Sequence, residues 1–223
     1  MTTPAAENSG PIAQPVAGPL TRAAIFLVVT INPYADSCAT VRSLCGNLAA
    51  LLRSVGFREP AENLSCIMAF GSEAWDRLFG EPRPAELHPF REIRAGARHA
   101  VATPGDLLFH IRAERMDLCF ELATLIMTRI GAAVSLADEI HGFRYFDSRD
   151  LLGFVDGTEN PTGQAALDAT VIGGEDPAFA GGSYVVVQKY LHDMDGWNAL
   201  PTHRPDQALR RRARRGGQAE LGA

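Results

Sequence analysis

The spacing of apolar residues constrains this chain more than any other feature, because its period switches between the values that strands and helices require. Ala23 to Ile31 is an apolar run rich in Ile, Val and Phe, closed by Asn32-Pro33. It is long enough for a buried strand and too short for a free helix. From Asp36, Val41, Leu44, Cys45, Leu48, Leu51, Leu52 and Val55 recur at three- and four-residue steps, an amphipathic helix that Gly56 stops. Residues 63–70 read as a second strand, and Ser72 as the N-cap of a short helix through Phe79. A proline-rich crossing (Pro82, Pro84, Pro89) leads to a third strand at residues 106–113. Met116, Cys119, Phe120, Ala123, Ile126, Met127 and Ile130 mark a second long helix over 115–130. Gly131 ends it, and residues 134–146 supply a fourth strand.

The order is strand, helix, strand, strand, helix, strand, which makes two crossover units. It predicts an α+β fold, a ferredoxin-like antiparallel sheet with helices on one face. The other face of the sheet must be covered or functional. This domain takes residues 21–147, after an extended lead-in of residues 1–20 that holds four prolines and two glycines. Residues 148–182 are irregular and carry seven glycines. Then 183–191, Ser-Tyr-Val-Val-Val-Gln-Lys-Tyr-Leu, reads as an emphatic strand. A short helix anchored by Trp197 and Leu200 follows, with Asp193 or Asp195 as its cap. Residues 148–200 thus begin a second domain in the same element order and stop before completing it.

Composition excludes several classes. Apolar residues make up 46% and charged residues 21%, which rules out a wholly disordered chain, a collagen-like repeat and a coiled coil. No apolar run approaches the ~20 residues of a membrane-spanning helix. The net charge of −5 argues against nucleic acid as a main partner. That charge is unevenly spread. Residues 201–223 hold six of the 21 basic and two of the 26 acidic residues, so the preceding 200 carry −9. The Arg-rich tail reads as out-of-frame text from a GC-rich gene, with a genuine basic segment for RNA, lipid or another anionic partner as the alternative. Cys38, Cys45, Cys66 and Cys119 form no C-x-x-C pair and no zinc-like spacing. Reduced structural thiols are expected, and with them a cytoplasmic protein. The first 20 residues hold no basic residue and no continuous apolar core, so they do not read as a signal peptide.

Chemistry concentrates in Gly153-Phe154-Val155-Asp156-Gly157-Thr158-Glu159-Asn160-Pro161. Two glycines flank one carboxylate, and a backbone without side chains can approach a flat ligand closely. A carboxylate held beside Phe154 and Val155 can be tuned for acid–base work. The plain alternative is a polar turn in which Asp156 and Asn160 bond their own backbone.

The stretch resembles the G-x-x-D-G signature of the dye-decolorising heme peroxidases, and reads as in their YfeX-like branch. The resemblance extends to Ile140-His141-Gly142-Phe143-Arg144-Tyr145-Phe146, to the loop over 147–152, and to 181–190, covering roughly residues 10–200. It implies two ferredoxin-like halves, the second binding heme b and incomplete in this chain. It implies Asp156 as the distal acid–base residue, with Gly157, Thr158 and Glu159 lining the heme edge. Hydrogen peroxide would oxidise a small-molecule electron donor such as a dye or phenol, in a protein that can form homo-oligomers. No metal ligand is assigned: the family's proximal histidine, like its distal arginine, is expected beyond the end of this sequence. Among the six histidines, His110 reads as a sheet residue and His192 as a solvated or capping one. A non-catalytic remnant, or a ferredoxin-like interaction module without heme, is the competing expectation.

Overall fold

The protein is described here from a computed structural model, which describes residues 13–96 and 98–199. Four strands form the main sheet: β1 (Ala23–Ile31), β2 (Ser65–Phe70), β5 (Leu107–Ala113) and β6 (Val134–Phe143). A two-stranded ribbon, β3 (Ile93–Ala95) with β4 (Arg98–Ala100), projects from the crossing between β2 and β5. The helices are α1 (Ser37–Gly56), α2 (Ser72–Leu78), α3 (Met116–Ile130), α4 (Gln164–Thr170) and α5 (Met194–Ala199). Across the sheet the order is β2-β5-β1-β6, every neighbouring pair antiparallel. That is the ferredoxin-like arrangement.

Alternation explains the layers. Along β1, Ala23, Ile25, Leu27, Val29 and Ile31 are buried, while the residues between them are half-exposed on the opposite face. Phe109 and Ile111 of β5 face the same way. Against them lie Val41, Leu44 and Leu51 of α1 and Cys119, Leu122, Ile126 and Ile130 of α3. Cys66 and Cys119 sit in this core, where burial pushes their thiols up to about 12 and about 11 and keeps them inert. All four cysteines are free. Among the described residues no helix is long and apolar enough to cross a membrane.

The open face of the sheet is partly covered by the lead-in. The Gln14 side chain donates to Met68 O at 3.0 Å and accepts from Met68 N–H at 2.8 Å, imitating a strand on the free edge of β2. Arg112, buried on β5, donates to Pro15 O and Gly18 O.

Several boundaries depart from the sequence reading. β2 begins at Ser65 and not at 63, because Asn63 takes a left-handed turn at φ 52 out of the 3-10 turn Pro60–Glu62. The N-cap of α2 is Gly71 and not Ser72, which is the first helical residue and buried. A Cβ on Gly71 would stand 2.8 Å from Gly105 O, so no larger residue fits the cap there. β6 stops at Phe143, short of 146. The ribbon and α4 were not foreseen.

The largest correction concerns residues 183–191, which form no strand. Among the described residues none of their main-chain groups enters a ladder. A strand is stabilised by its cross-strand neighbours, and propensity alone does not supply them. α5 does follow, capped as expected by Asp193, whose Oδ1 accepts Gly196 N–H at 2.8 Å. Leu200 and the Arg-rich tail lie outside the described residues.

Asp106 accepts Ile31 N–H at 2.6 Å and pairs with Arg77 at 3.5 Å, while Arg77 donates to Ile31 O, so one carboxylate ties the ends of β1, β5 and α2 together. Asp106→Ala is expected to cost about 1–3 kcal/mol, read as a lower urea midpoint at unchanged slope. His110 stacks on Phe26 at 4.3 Å, and burial, aided by the charge of Arg112, lowers its pKa to about 4. The unfolded chain takes up this proton near pH 6.5, before the folded chain can. Stability should therefore fall as pH drops from about 6.5 toward 4, and His110→Phe should make that slope shallower in a denaturation series.

Candidate functional site

The glycine-flanked carboxylate belongs to a small hairpin that the end of β6 launches. Arg144 N–H bonds Arg22 O at 3.0 Å, holding the exit of β6 against the start of β1. Three residues later the chain turns sharply, with Asp147 at φ 43 and Ser148 at φ 63. Left-handed backbone costs a non-glycine residue roughly 1–2 kcal/mol, least for Asp or Asn. Local hydrogen bonds oppose that cost.

Arg149 N–H reaches both Tyr145 O and Phe146 O, and Arg149 bridges Val155 across the hairpin. Asp150 N–H donates to Phe154 O at 2.9 Å, and Phe154 N–H donates to Asp150 Oδ1 at 2.9 Å. Arg149 Nη1 donates to Gly153 O at 3.1 Å. Gly153 is buried at the tip with φ 97, a conformation that glycine adopts without steric cost. Asp156 N–H then bonds Ser148 O at 3.0 Å and closes the hairpin. Phe154 packs edge-on against Trp197 of α5, with ring centroids 6.1 Å apart.

Asp156, Gly157, Thr158 and Glu159 lie together on the exposed turn leaving this hairpin. Asp156 Oδ1 accepts Gly157 N–H at 2.9 Å, which orients the carboxylate. Its other oxygen has no hydrogen-bond partner among the described residues. Gly157 is left-handed at φ 74, and Asn160 N–H bonds its carbonyl at 3.1 Å. The four named residues are therefore brought together, and the polar-turn reading is also realised in part, since Asp156 does bond its own backbone.

Sequence reasoning missed the residues that build the hairpin: Ser148, Arg149 and Asp150. Their signal was available in the Asp-x-x-Gly-Phe spacing, which lets a carboxylate accept the N–H four residues on. The described histidines are occupied elsewhere or exposed. His99 lies 3.2 Å from Glu92, His141 lies 2.6 Å from Glu139, His110 is stacked in the sheet, and His192 is exposed. Among the described residues no three His, Cys, Asp or Glu side chains converge as a metal site would require.

Comparison with known proteins assigns the class. Residues 13–144 match the family model "Dyp-type peroxidase, N-terminal", and residues 147–222 match "Dyp-type peroxidase, C-terminal". The chain belongs to the Dyp-type peroxidase family. It is 56% identical over 200 residues to the dye-decolorizing peroxidase of Rhodococcus erythropolis, covering 90% of this chain and 58% of that protein. This chain thus spans less than two thirds of the length of that relative. Among solved structures, the encapsulated DyP-type peroxidase from Mycobacterium smegmatis superposes with a TM-score of 0.83 at 61% identity, covering 86% of this chain and 62% of that one. A DypB variant from Rhodococcus jostii RHA1, solved in complex with heme, gives a TM-score of 0.80 at 54% identity, covering 82% and 59%.

Gly157→Ala tests the turn. A side chain at φ 74 is strained, and its Cβ would stand 3.0 Å from Asn160 Nδ2. The cost is expected to be about 1–2 kcal/mol, confined to the loop. Hydrogen exchange at Asn160 N–H should accelerate, while the global unfolding midpoint, set by the sheet and its helices, stays in place.

Proposed function

We propose that this chain belongs to a heme-dependent peroxidase of the YfeX-like branch, using hydrogen peroxide to oxidise dyes, phenols or similar one-electron donors. The observation that carries the reading is the Asp156 carboxylate, presented on an exposed turn between Gly153 and Gly157 with one oxygen held by a backbone N–H and the other unengaged. The relative bound to heme supports it, as does the match to both family models.

The residues present fit heme b on one side. A left-handed glycine leaves room for close approach to a flat ring, and the exposed Asp156, Thr158 and Glu159 offer polar atoms along its rim. Gly157, Thr158 and Glu159 would line the edge, and no axial ligand is assigned to any described residue. When bound, the heme supplies the redox chemistry by which peroxide is reduced and donors are oxidised.

The protein's own part is a proton relay. Asp156 would take a proton from one oxygen of hydrogen peroxide and hand it to the other, while the two electrons that cleave the O–O bond and the acceptor for the remaining oxygen are what the bound heme would supply. Gly157 N–H fixes Oδ1 and leaves the second oxygen as the base. The edge-on contact of Phe154 with Trp197 holds the hairpin against α5, so the carboxylate keeps its position through the cycle.

In this reading residues 21–147 form the first half of the protein and 148–200 the start of the heme-binding half, with 1–20 as lead-in. The four free thiols fit a cytoplasmic setting, and the family resemblance a homo-oligomer.

The test is to mix the purified chain with hemin and follow the Soret band and the peroxide-dependent oxidation of a dye at mildly acidic pH. Asp156→Asn should lower the rate at least roughly 10²-fold and leave hemin affinity unchanged. Rates for wild type and variant that both equal free hemin would favour the competing reading, a non-catalytic remnant.

A further inference from the structure

We infer that residues 172–184 are a clasp that positions the Asp156 turn from its downstream end, with Asp176 and Phe179 as the positioning residues; the role rests on the peroxidase reading of Asp156. The clasp is closed on itself. Ile172 N–H donates to Gly182 O at 2.8 Å and Gly181 N–H to Ile172 O at 2.9 Å, so the two ends of the loop are joined. Inside it the 3-10 turn Pro177–Phe179 brings Phe179 O onto Gly182 N–H at 2.9 Å. Ile172 is buried, and a Cβ on Gly182 would stand 3.1 Å from Phe179 O, so a side chain there would crowd the closure.

The clasp docks on the first half through matched groups. Pro82 and Pro84 leave the crossing between α2 and β3 short of N–H donors, and Ala85 and Glu86 then supply two in succession. Asp176 Oδ2 accepts Ala85 N–H at 2.9 Å, and the Tyr184 hydroxyl accepts Glu86 N–H at 3.0 Å. Beside these bonds Phe179 meets Trp75 of α2 edge-on, with ring centroids 5.5 Å apart. Trp75 is itself held, since its Nε1 donates to Pro82 O at 3.1 Å and its ring lies 4.8 Å from that of Phe79. Directional bonds together with an aromatic contact of defined geometry give the clasp one seat on α2 and the crossing.

From this seat the constraint runs back to the turn. The clasp begins just past α4, where Val171 N–H still bonds Leu167 O at 2.9 Å. α4 is braced along its length by Gln164 Nε2 on Asp168 Oδ1 at 2.8 Å and by Thr170 Oγ1 on Ala166 O at 2.7 Å. It starts from Gly163, whose φ is 59, shortly after the turn that Asn160 N–H closes on Gly157 O. Upstream, the same stretch is pinned where Arg144 N–H bonds Arg22 O. A segment fixed at both ends samples fewer conformations than one fixed at a single end. The clasp supplies the second fixed end for the turn that presents Asp156.

Amide hydrogen exchange of the full chain, followed residue by residue by NMR, tests this. It needs no heme, so its outcome is separate from whether the chain proves to be a peroxidase. Asp176→Ala and Phe179→Ala each remove one contact at a half-exposed position. Each should speed exchange about tenfold at Asp156 N–H and Asn160 N–H, the change that loss of roughly one hydrogen bond implies. Exchange at the buried Ile25 and Ile111 should not change. Asp176→Asn keeps an oxygen that can accept Ala85 N–H and should exchange as wild type does. Acceleration at Ala85 N–H alone, with Asp156 and Asn160 at wild-type rates, would mean that the clasp braces only itself and would overturn the inference. So would an Asp176→Asn variant that behaves as Asp176→Ala does, or acceleration that spreads to Ile25 and Ile111.

Discussion

Strand β1 has a hydrogen-bonded neighbour on each side, and its alternate side chains form the floor of the core. A slip of one residue would turn Ile25, Leu27 and Val29 to the open face and bring Phe26 and Val28 under the helices, so burial locks the register. That register fixes β5 and β6 as partners and leaves one face for α1 and α3. It also determines where the chain leaves the sheet. Phe143 pairs with Ala23, and the next N–H is still bonded to Arg22, so the site loop starts from a point that the core holds rigidly.

From that anchor the site is built by local chemistry on a small scale. Two left-handed residues, Asp147 and Ser148, turn the backbone, and a five-residue ring from Asp150 to Phe154 returns it. The strain is offset by bonds made almost wholly within the loop. Asp156 emerges as the last member of this hairpin, with its N–H on Ser148 O and its carboxylate on Gly157 N–H. A carboxylate placed in this way has one oxygen held by a backbone N–H and the other open to solvent.

Most of the first half was legible in the sequence, because each element there carries its own period. The nine-residue run of β1 and the three-and-four steps of α1 and α3 were read at their observed positions within a residue or two. The errors lie where a neighbour in space decides. Asn63 leaves the strand because a 3-10 turn feeds it, and Gly71 caps α2 because Gly105 O occupies the volume a side chain would need. The site was legible as a motif but not as a construction. Gly153, Asp156 and Gly157 stood out, whereas Arg149 and Asp150 gave no periodic signal and act through bonds to backbone that only folding brings near.

By itself the sequence determined the order of elements, the face of each helix that is buried, and the family signature around Asp156, since these depend on spacing along the chain. Tertiary structure alone decided the fate of residues 183–191 and of the lead-in. The first has every local attribute of a strand and is none here, because a strand exists only where another backbone completes its hydrogen bonds. The second has no strand attribute, yet through the Gln14 amide it supplies those bonds to the edge of β2.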